Sequence, residues 1–593
     1  MTNYTRSSWQ SFFPFLSWHE LKVFRVIRTD FIAGLTVALI LIPQSMAYAQ
    51  LAGLNPIYGL YASFIPVAVA ALWGSSSQLA TGPVAIVSLL TFTAVAALTS
   101  DPSEFIFFAV ILAFLVGLFQ FLLGIFRLGV LVDFLSHPVV IGFTNAAAII
   151  IGTSQLYKLL GVMKPDSQLP YYQQLADVLS EIPLTHMPSL LMGIGALVII
   201  FGLKKISTKV PPFLVALVVT TLISWGIGFE SKLGGNVVGV IPQGLPSFSF
   251  PSLDAQSVTQ LVPVAIIISL IGFMEAISVA KAVAAKTKQR IDANQELIGQ
   301  GLSNIAASFF QGYPVSGSFS RTAVNTALGA ITGFSSVVTA VVLGLTLLFL
   351  TPLLYHLPQA TLAAVVMSAV AGLVRFKPIK YAWRVQKHDG FIAVVVFLAT
   401  FFTAPHLEQG IILGVVLTLF LYIWRGMRPT VIVETKDKDG NFISAESSSI
   451  SKTCASVSIL RFDGSLIFAN TGYFETKVLE QLSEKPKLEY IIIDAVSINE
   501  IDATGEEMLH ELSRRLVDNN IELLFVRVHS TIMHVFKNTG YASAEWLDHF
   551  FTHRKDALEY IWSKLPGGCA CDDECPLKTG PIFEDPVSMY TVK

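Results

Sequence analysis

Charge is what this sequence has least of. Only 13% of its 593 residues are Asp, Glu, Lys or Arg, against 53% hydrophobic, and the mean hydropathy is +0.63. A soluble multidomain chain of this length is not so apolar, so the composition indicates a polytopic membrane protein. Cysteine is nearly as rare. The four are Cys454, Cys569, Cys571 and Cys575, so no disulfide staples the region before them. Residues 1–29 have no compact apolar run and no small-residue cleavage site, and the first span is expected to act as its own insertion signal. A P-loop, a His metal cluster and a Ser-His-Asp arrangement in persuasive context are also missing, so no enzyme, cofactor, metal or nucleic-acid partner is expected.

The formal net charge of −2 hides an uneven distribution. Charges are scarce between Asp30 and Tyr422 and common from Arg425 onward, so a soluble domain follows the membrane part. About fourteen apolar runs succeed one another from 31–50 to 411–424, several of them shorter than the roughly 20 residues a full crossing needs. Basic residues cluster before the first run (Lys22, Arg25, Arg28) and after the fourth, sixth, eighth, twelfth and fourteenth, always on the same parity. Lys and Arg gather on the cytoplasmic side, so both termini are expected there, in a multi-pass inner or plasma membrane protein.

Two runs are broken in the same way. Thr81-Gly82-Pro83-Val84 opens the third, and residues 312–327, GYPVSGSFSRTAVNTA, introduce the tenth. Pro can simply start an ordinary helix. Short Gly/Pro-interrupted segments at matching places in two halves point instead to an inverted-repeat transporter with half-helix starts meeting near the midplane. A helix over 319–331 rises only about 20 Å. Its start would carry unpaired N–H groups and partial positive charge, a place to hold an anion. Arg321 lies in that start with Ser316, Ser318, Ser320 and Thr322, some of which should cap the helix rather than meet a ligand.

Gln44 and Tyr48 in the first run are four apart and share a helix face. For Gln44 a helix–helix hydrogen bond competes with a ligand contact. Glu275, in SLIGFMEAISVAKA of the eighth run, is an acid at membrane depth and a functional candidate. Its structural alternative is permanent pairing with Arg321. Gly299-Gln300-Gly301 reads as close helix packing.

The domain boundaries expected are a cytoplasmic segment 1–29, a transmembrane transporter domain 30–426, a linker 427–451, an α/β domain 452–565 and a flexible cytoplasmic tail 566–593. Within the α/β domain, strands are expected at 457–462, 490–493 and 521–528, and helices at 471–482, 506–519 and 531–537. Cys569, Cys571 and Cys575 offer three thiols to a metal, one short of a closed structural site.

With the broken tenth segment, the first-run signature and the appended domain together, the sequence resembles the SulP/solute carrier 26 family of anion transporters from about Asp30 to about Leu565, closest to its sulfate-transporting branch. The C-terminal part resembles a STAS domain. The resemblance implies a seven-plus-seven inverted repeat with core and gate domains, usually a homodimer. It also implies an anion held between the starts of helices three and ten, near Pro83, Val84, Ser320 and Arg321, with Gln44 and Tyr48 as polar positions of the first helix. Glu275 matches an acidic position associated with proton coupling. The STAS loop departs from the family's phosphorylated pattern, because Ile501-Asp502-Ala503-Thr504-Gly505 puts Ala503 where Ser is expected. Thr504 is the remaining hydroxyl.

Charge counting favours a divalent anion. Two helix starts at roughly +0.5 each plus Arg321 supply about +2, the match for sulfate, and a guanidinium forks onto tetrahedral oxyanions. An ionised Glu275 would cancel one of these charges, whereas a protonated one would not; by linkage, an anion preferring the protonated state promotes proton uptake. The expectation is proton-coupled sulfate uptake. Sodium–bicarbonate symport, with Na+ in place of protons, and anion exchange are the nearest alternatives, and an anion channel or a sensor with STAS output, acting on a cytoplasmic partner, ranks below them.

Overall fold

Backbone groups in lipid have no water to bond, so apolar runs must coil into helices. The computed structural model describes residues 13–99, 101–130, 136–166, 169–206, 211–437, 440–446, 453–543, 546–565, 571 and 575–578. All fourteen runs fall on helices, and among the described residues nine helices are long and apolar enough to cross a membrane. Five helices carry the site: α1 (Phe24–Leu51), α2 (Ala85–Ala96), α3 (Ala255–Thr287), α4 (Ala293–Phe309) and α5 (Phe319–Ala327). Helix α1 begins inside the segment expected to precede the membrane domain, because the 3-10 turn His19–Lys22 passes directly into it at Phe24.

The two broken runs are short helices. Helix α2 has 12 residues and α5 has nine, so at 1.5 Å per residue they rise about 18 and 14 Å where a bilayer core needs about 30 Å. Helix α5 stops at Ala327, short of the expected 331. Gly329 takes φ +81°, and the Ala330 N–H turns back to the Asn325 carbonyl at 3.1 Å, a left-handed ending that glycine accommodates. The Gly299 and Gly301 pair is indeed a packing feature. A Cβ on Gly299 would lie 2.6 Å from the Gly74 nitrogen, and one on Gly301 2.5 Å from that of Phe121.

The C-terminal unit is built on a six-stranded sheet in the order β4-β3-β5-β6-β7-β8. Strands β5 (Val457–Asp463), β6 (Tyr490–Asp494), β7 (Glu522–Val526) and β8 (Phe550–Phe551) run parallel, with α6 (Thr471–Glu484), α7 (Ala503–Val517) and α8 (Ser530–Thr539) between them. The segment 427–451 is not simply a linker. It contributes β3 (Thr430–Lys436), antiparallel to β5, and β4 (Phe442–Ser444). Its polar residues hid this, because Glu434 and Lys436 are buried there.

Alternation assigns each strand residue to a face. Ile491, Ile493, Leu523 and Phe525 pack with Leu509, Leu512, Phe474 and Phe536. Tyr490, Ile492, Leu524 and Val526 face the other way onto α9 (Arg554–Lys564), an element not expected from the sequence. At the sheet's end the buried Asp494 carboxylate accepts from Arg527 and Arg554, and Arg554 also pairs with Glu434 at 2.8 Å. Ala503 opens α7, which Asp502 caps through the Gly505 N–H at 2.8 Å; Thr504 is exposed. The expected flexible tail is corrected in part. Leu577 and Cys575 are buried in the α9-side cluster, whereas Cys569 lies outside the described residues.

Candidate anion site at the crossed helix breaks

The two breaks pair with each other. Thr81–Gly82 (β1) and Ser316–Gly317 (β2) form an antiparallel ladder, Thr81 opposite Gly317 and Gly82 opposite Ser316. The Ser318 N–H extends it to the Ala80 carbonyl at 2.9 Å, and the Ala80 N–H returns to the Thr322 hydroxyl at 2.9 Å. Helices α2 and α5 each start within three residues of this crossing, so the positive ends of both lie near it. Gly82 fits where other residues would not. Its φ is +143°, and a Cβ there would meet Arg321 Nη2 at 3.2 Å.

Arg321, in the first turn of α5, is fully buried. Its Nη1 donates to the Pro83 carbonyl at 2.9 Å and, more weakly, to Gln44 Oε1 at 3.5 Å. Its Nε and Nη2 have no partner, and neither have Gln44 Nε2 and Glu275 Oε2. Buried donors without acceptors are costly, and here three of them belong to two touching side chains. Glu275 interacts electrostatically with Arg321 and with the buried Tyr48, one turn beyond Gln44. Glu275 Oε2 and Arg321 Nε and Nη2 are thus not hydrogen-bonded to one another in this structure.

The hydroxyls divide by the bonds they already make. Ser316 donates to the Gly272 carbonyl of α3 at 2.6 Å, and Thr322 accepts from Ala80. Ser318 and Ser320 hydroxyls lie 3.4 Å apart, with Ser318 buried and Ser320 exposed. Neither helix start has a side-chain cap: Val84 precedes α2 and Ser318 precedes α5 without one. Pro83 meets the site through its carbonyl, as the anchor of Arg321.

Sequence reasoning missed the residues that hold the breaks. On α4, the Glu296 carboxylate accepts from the Ser75 and Ser76 N–H groups at 2.8 and 3.0 Å, and Gln300 donates to the Thr81 hydroxyl at 2.9 Å. Asn304 grips Val315 twice, accepting from its N–H at 2.8 Å and donating to its carbonyl at 3.1 Å. These three polar residues are spaced by four, on one face of the helix. That spacing was the available signal.

Comparison with known proteins agrees with this architecture. The profile of the Sulfate permease family matches residues 27–396, and that of the STAS domain matches 450–557. The chain is 35% identical over 564 residues to "Probable sulfate transporter 4.2" of Arabidopsis thaliana, covering 91% of this chain and 81% of that protein. It is 34% identical to "Sulfate transporter 4.1, chloroplastic" of the same plant, covering 93% and 83%. The structure of the murine Solute Carrier 26 family member A9 anion transporter in the inward-facing state superposes with a TM-score of 0.86 at 24% identity, covering 95% of this chain and 96% of that one. The transmembrane domain of the cyanobacterium bicarbonate transporter BicA gives 0.59 at 25%, covering 67% and 98%. The fold is thus that of a helical inverted-repeat membrane transporter with a C-terminal STAS domain, and with relatives a third identical over nine-tenths of its length, the chain belongs to the sulfate permease family of anion transporters.

Proposed function

We propose that this transporter takes up sulfate together with protons, binding the anion at the crossing of β1 and β2. The observation that carries the reading is Arg321, wholly buried at two uncapped helix starts with two donors unused. A tetrahedral dianion would satisfy these donors and Gln44 Nε2, and exposed Ser320 would stand at its margin. The charge supply, about +2 from the guanidinium and two helix ends, matches two negative charges. A cleft lined by Gln50, Lys158 and Lys164 among others lies at the C-terminal end of α1.

Glu275 provides the coupling. Ionised, it opposes the anion; protonated, it does not, so the anion and a proton favour one another's binding. Core helices carrying the site then move against the gate helices, in a homodimer whose termini lie on the cytoplasmic side. The test is purified protein in liposomes with an imposed pH gradient. Glu275→Gln is expected to keep sulfate exchange and lose proton-driven accumulation; intact accumulation would refute the coupling role. The likeness to BicA supports sodium-coupled bicarbonate symport as a second reading, and counterflow with labelled sulfate against bicarbonate distinguishes the two.

A further inference from the structure

Every cysteine of this chain lies in its soluble part, and three of the four come together. Cys454 precedes β5; Cys571 and Cys575 follow α9. Their sulfurs all lie within 4.8 Å of one another, and those of Cys571 and Cys454, 117 residues apart in sequence, are 3.6 Å apart. Cys454 and Cys575 are each only 2% exposed, and Cys571 is half-buried.

The spacing fits a shared ion. Zinc–sulfur bonds of about 2.3 Å at tetrahedral angles put neighbouring sulfurs about 3.8 Å apart. A disulfide would need about 2.05 Å, and none of the three cysteines is in one. Small apolar side chains would account for burial alone, but not for what surrounds these sulfurs. The Ala455 N–H donates to Cys571 Sγ at 3.1 Å, a bond that favours a sulfur carrying negative charge. Lys485 interacts electrostatically with Cys454 and Cys571, and buried Lys436 with Cys575. Burial lowers the pKa of both lysines and the sulfurs oppose that; the Lys485 ammonium donates to the Ser458 hydroxyl at 3.2 Å and that of Lys436 to the Leu577 carbonyl at 3.5 Å.

We propose that Cys454, Cys571 and Cys575 bind a soft divalent cation of the zinc class as thiolates. Binding releases three protons to solvent and forms three metal–sulfur bonds, with no change of oxidation state. Three thiolates and a dication leave one negative charge, which a single lysine ammonium offsets. A water or another donor fills the fourth tetrahedral position. The ion's structural effect follows from where its ligands sit. Cys575 and Leu577 cover the sheet face formed by Val457, Ile459, Ile492 and Leu524, and Lys436 holds the Leu577 carbonyl at 3.5 Å. The metal ties Cys571 and Cys575, beyond α9, to the start of β5, over one apolar face of the sheet.

The test uses the full chain, purified under reducing conditions in lipid nanodiscs and stripped of loosely bound metal. Elemental analysis should find about one zinc per chain, and Cys454→Ser, Cys571→Ser and Cys575→Ser should each lower that at least tenfold. Because a variant can lose metal by misfolding, the unaltered protein is also reconstituted with cobalt, which should give an intense near-ultraviolet thiolate-to-cobalt absorption. Substoichiometric zinc with three reactive thiols and no such band would overturn the proposal. So would a Cys454–Cys571 disulfide in protein isolated without reductant, or inorganic sulfide and iron in place of zinc.

Discussion

Arg321 Nη1 donates to the Pro83 carbonyl oxygen at 2.9 Å, across 238 residues of sequence. This one bond joins the start of the second half-helix to the start of the first, while Nε and Nη2 of the same guanidinium have no partner. The site's geometry therefore depends on both halves at once.

Replacing the fork by a point charge tests that geometry. Arg321→Lys keeps the charge but cannot both bond Pro83 and present two further donors. Loss of one or two charged hydrogen bonds, at about 1.5–3 kcal/mol each, should weaken labelled-sulfate binding roughly tenfold to a hundredfold or more. Arg321→Ala should abolish it, and unchanged affinity in either variant would remove Arg321 from the site.

Gly82 should tolerate no side chain. Gly82→Ala adds a Cβ against Arg321 Nη2 and holds alanine at φ +143°, a strain of about 1–3 kcal/mol. Equilibrium sulfate binding should fall more than the melting temperature does, since the clash is with the guanidinium itself.

Asn304 is expected to act without touching the anion. Asn304→Ala strips both bonds to Val315, and each buried backbone group left unpaired costs about 1–3 kcal/mol. Both the melting temperature and the sulfate affinity should drop. Asn304→Asp still accepts from the Val315 N–H but turns a buried oxygen on the three acceptors that Nδ2 serves, so it should lose no less of each.

In the STAS domain, Glu522 makes stability depend on acid. The hydrogen bond with His549, joined by that from Tyr560, holds its carboxyl below the ordinary value of 4.5. The folded state therefore binds this proton less readily than the unfolded one, so its stabilisation is present above pH 4.5 and is lost as pH falls through the folded value. Amide protection of β7 in the full chain should decline over that range, and Glu522→Gln should flatten the decline. Glu434 acts in the opposite sense: burial raises it, Arg554 opposing, so its contribution is lost as pH rises above 4.5.

Much of this was written locally. Uninterrupted apolar runs can only be helices in lipid, and the Gly/Pro breaks before α2 and α5 showed where the ladder of helix bonds must stop. The spacing of Gln44 and Tyr48 put them on one face, and short apolar runs placed three of the six strands of the STAS sheet. Strand β3 escaped notice because its buried Glu434 is paired with arginines far along the chain. The helix α9 has too few apolar positions to announce itself, with only Ala557, Leu558 and Ile561 fully covered.

By itself, then, the sequence determined the membrane helices, the two breaks and the residues gathered near them, since each depends on neighbours within a few positions. Only the tertiary structure decided which serines were already spent in bonds to backbone, that Glu275 Oε2 and Arg321 Nε and Nη2 are left without partners, and that Cys454 meets the cysteines beyond α9. Those facts concern groups tens to hundreds of residues apart, and no local preference specifies a distance between them until the whole chain has packed.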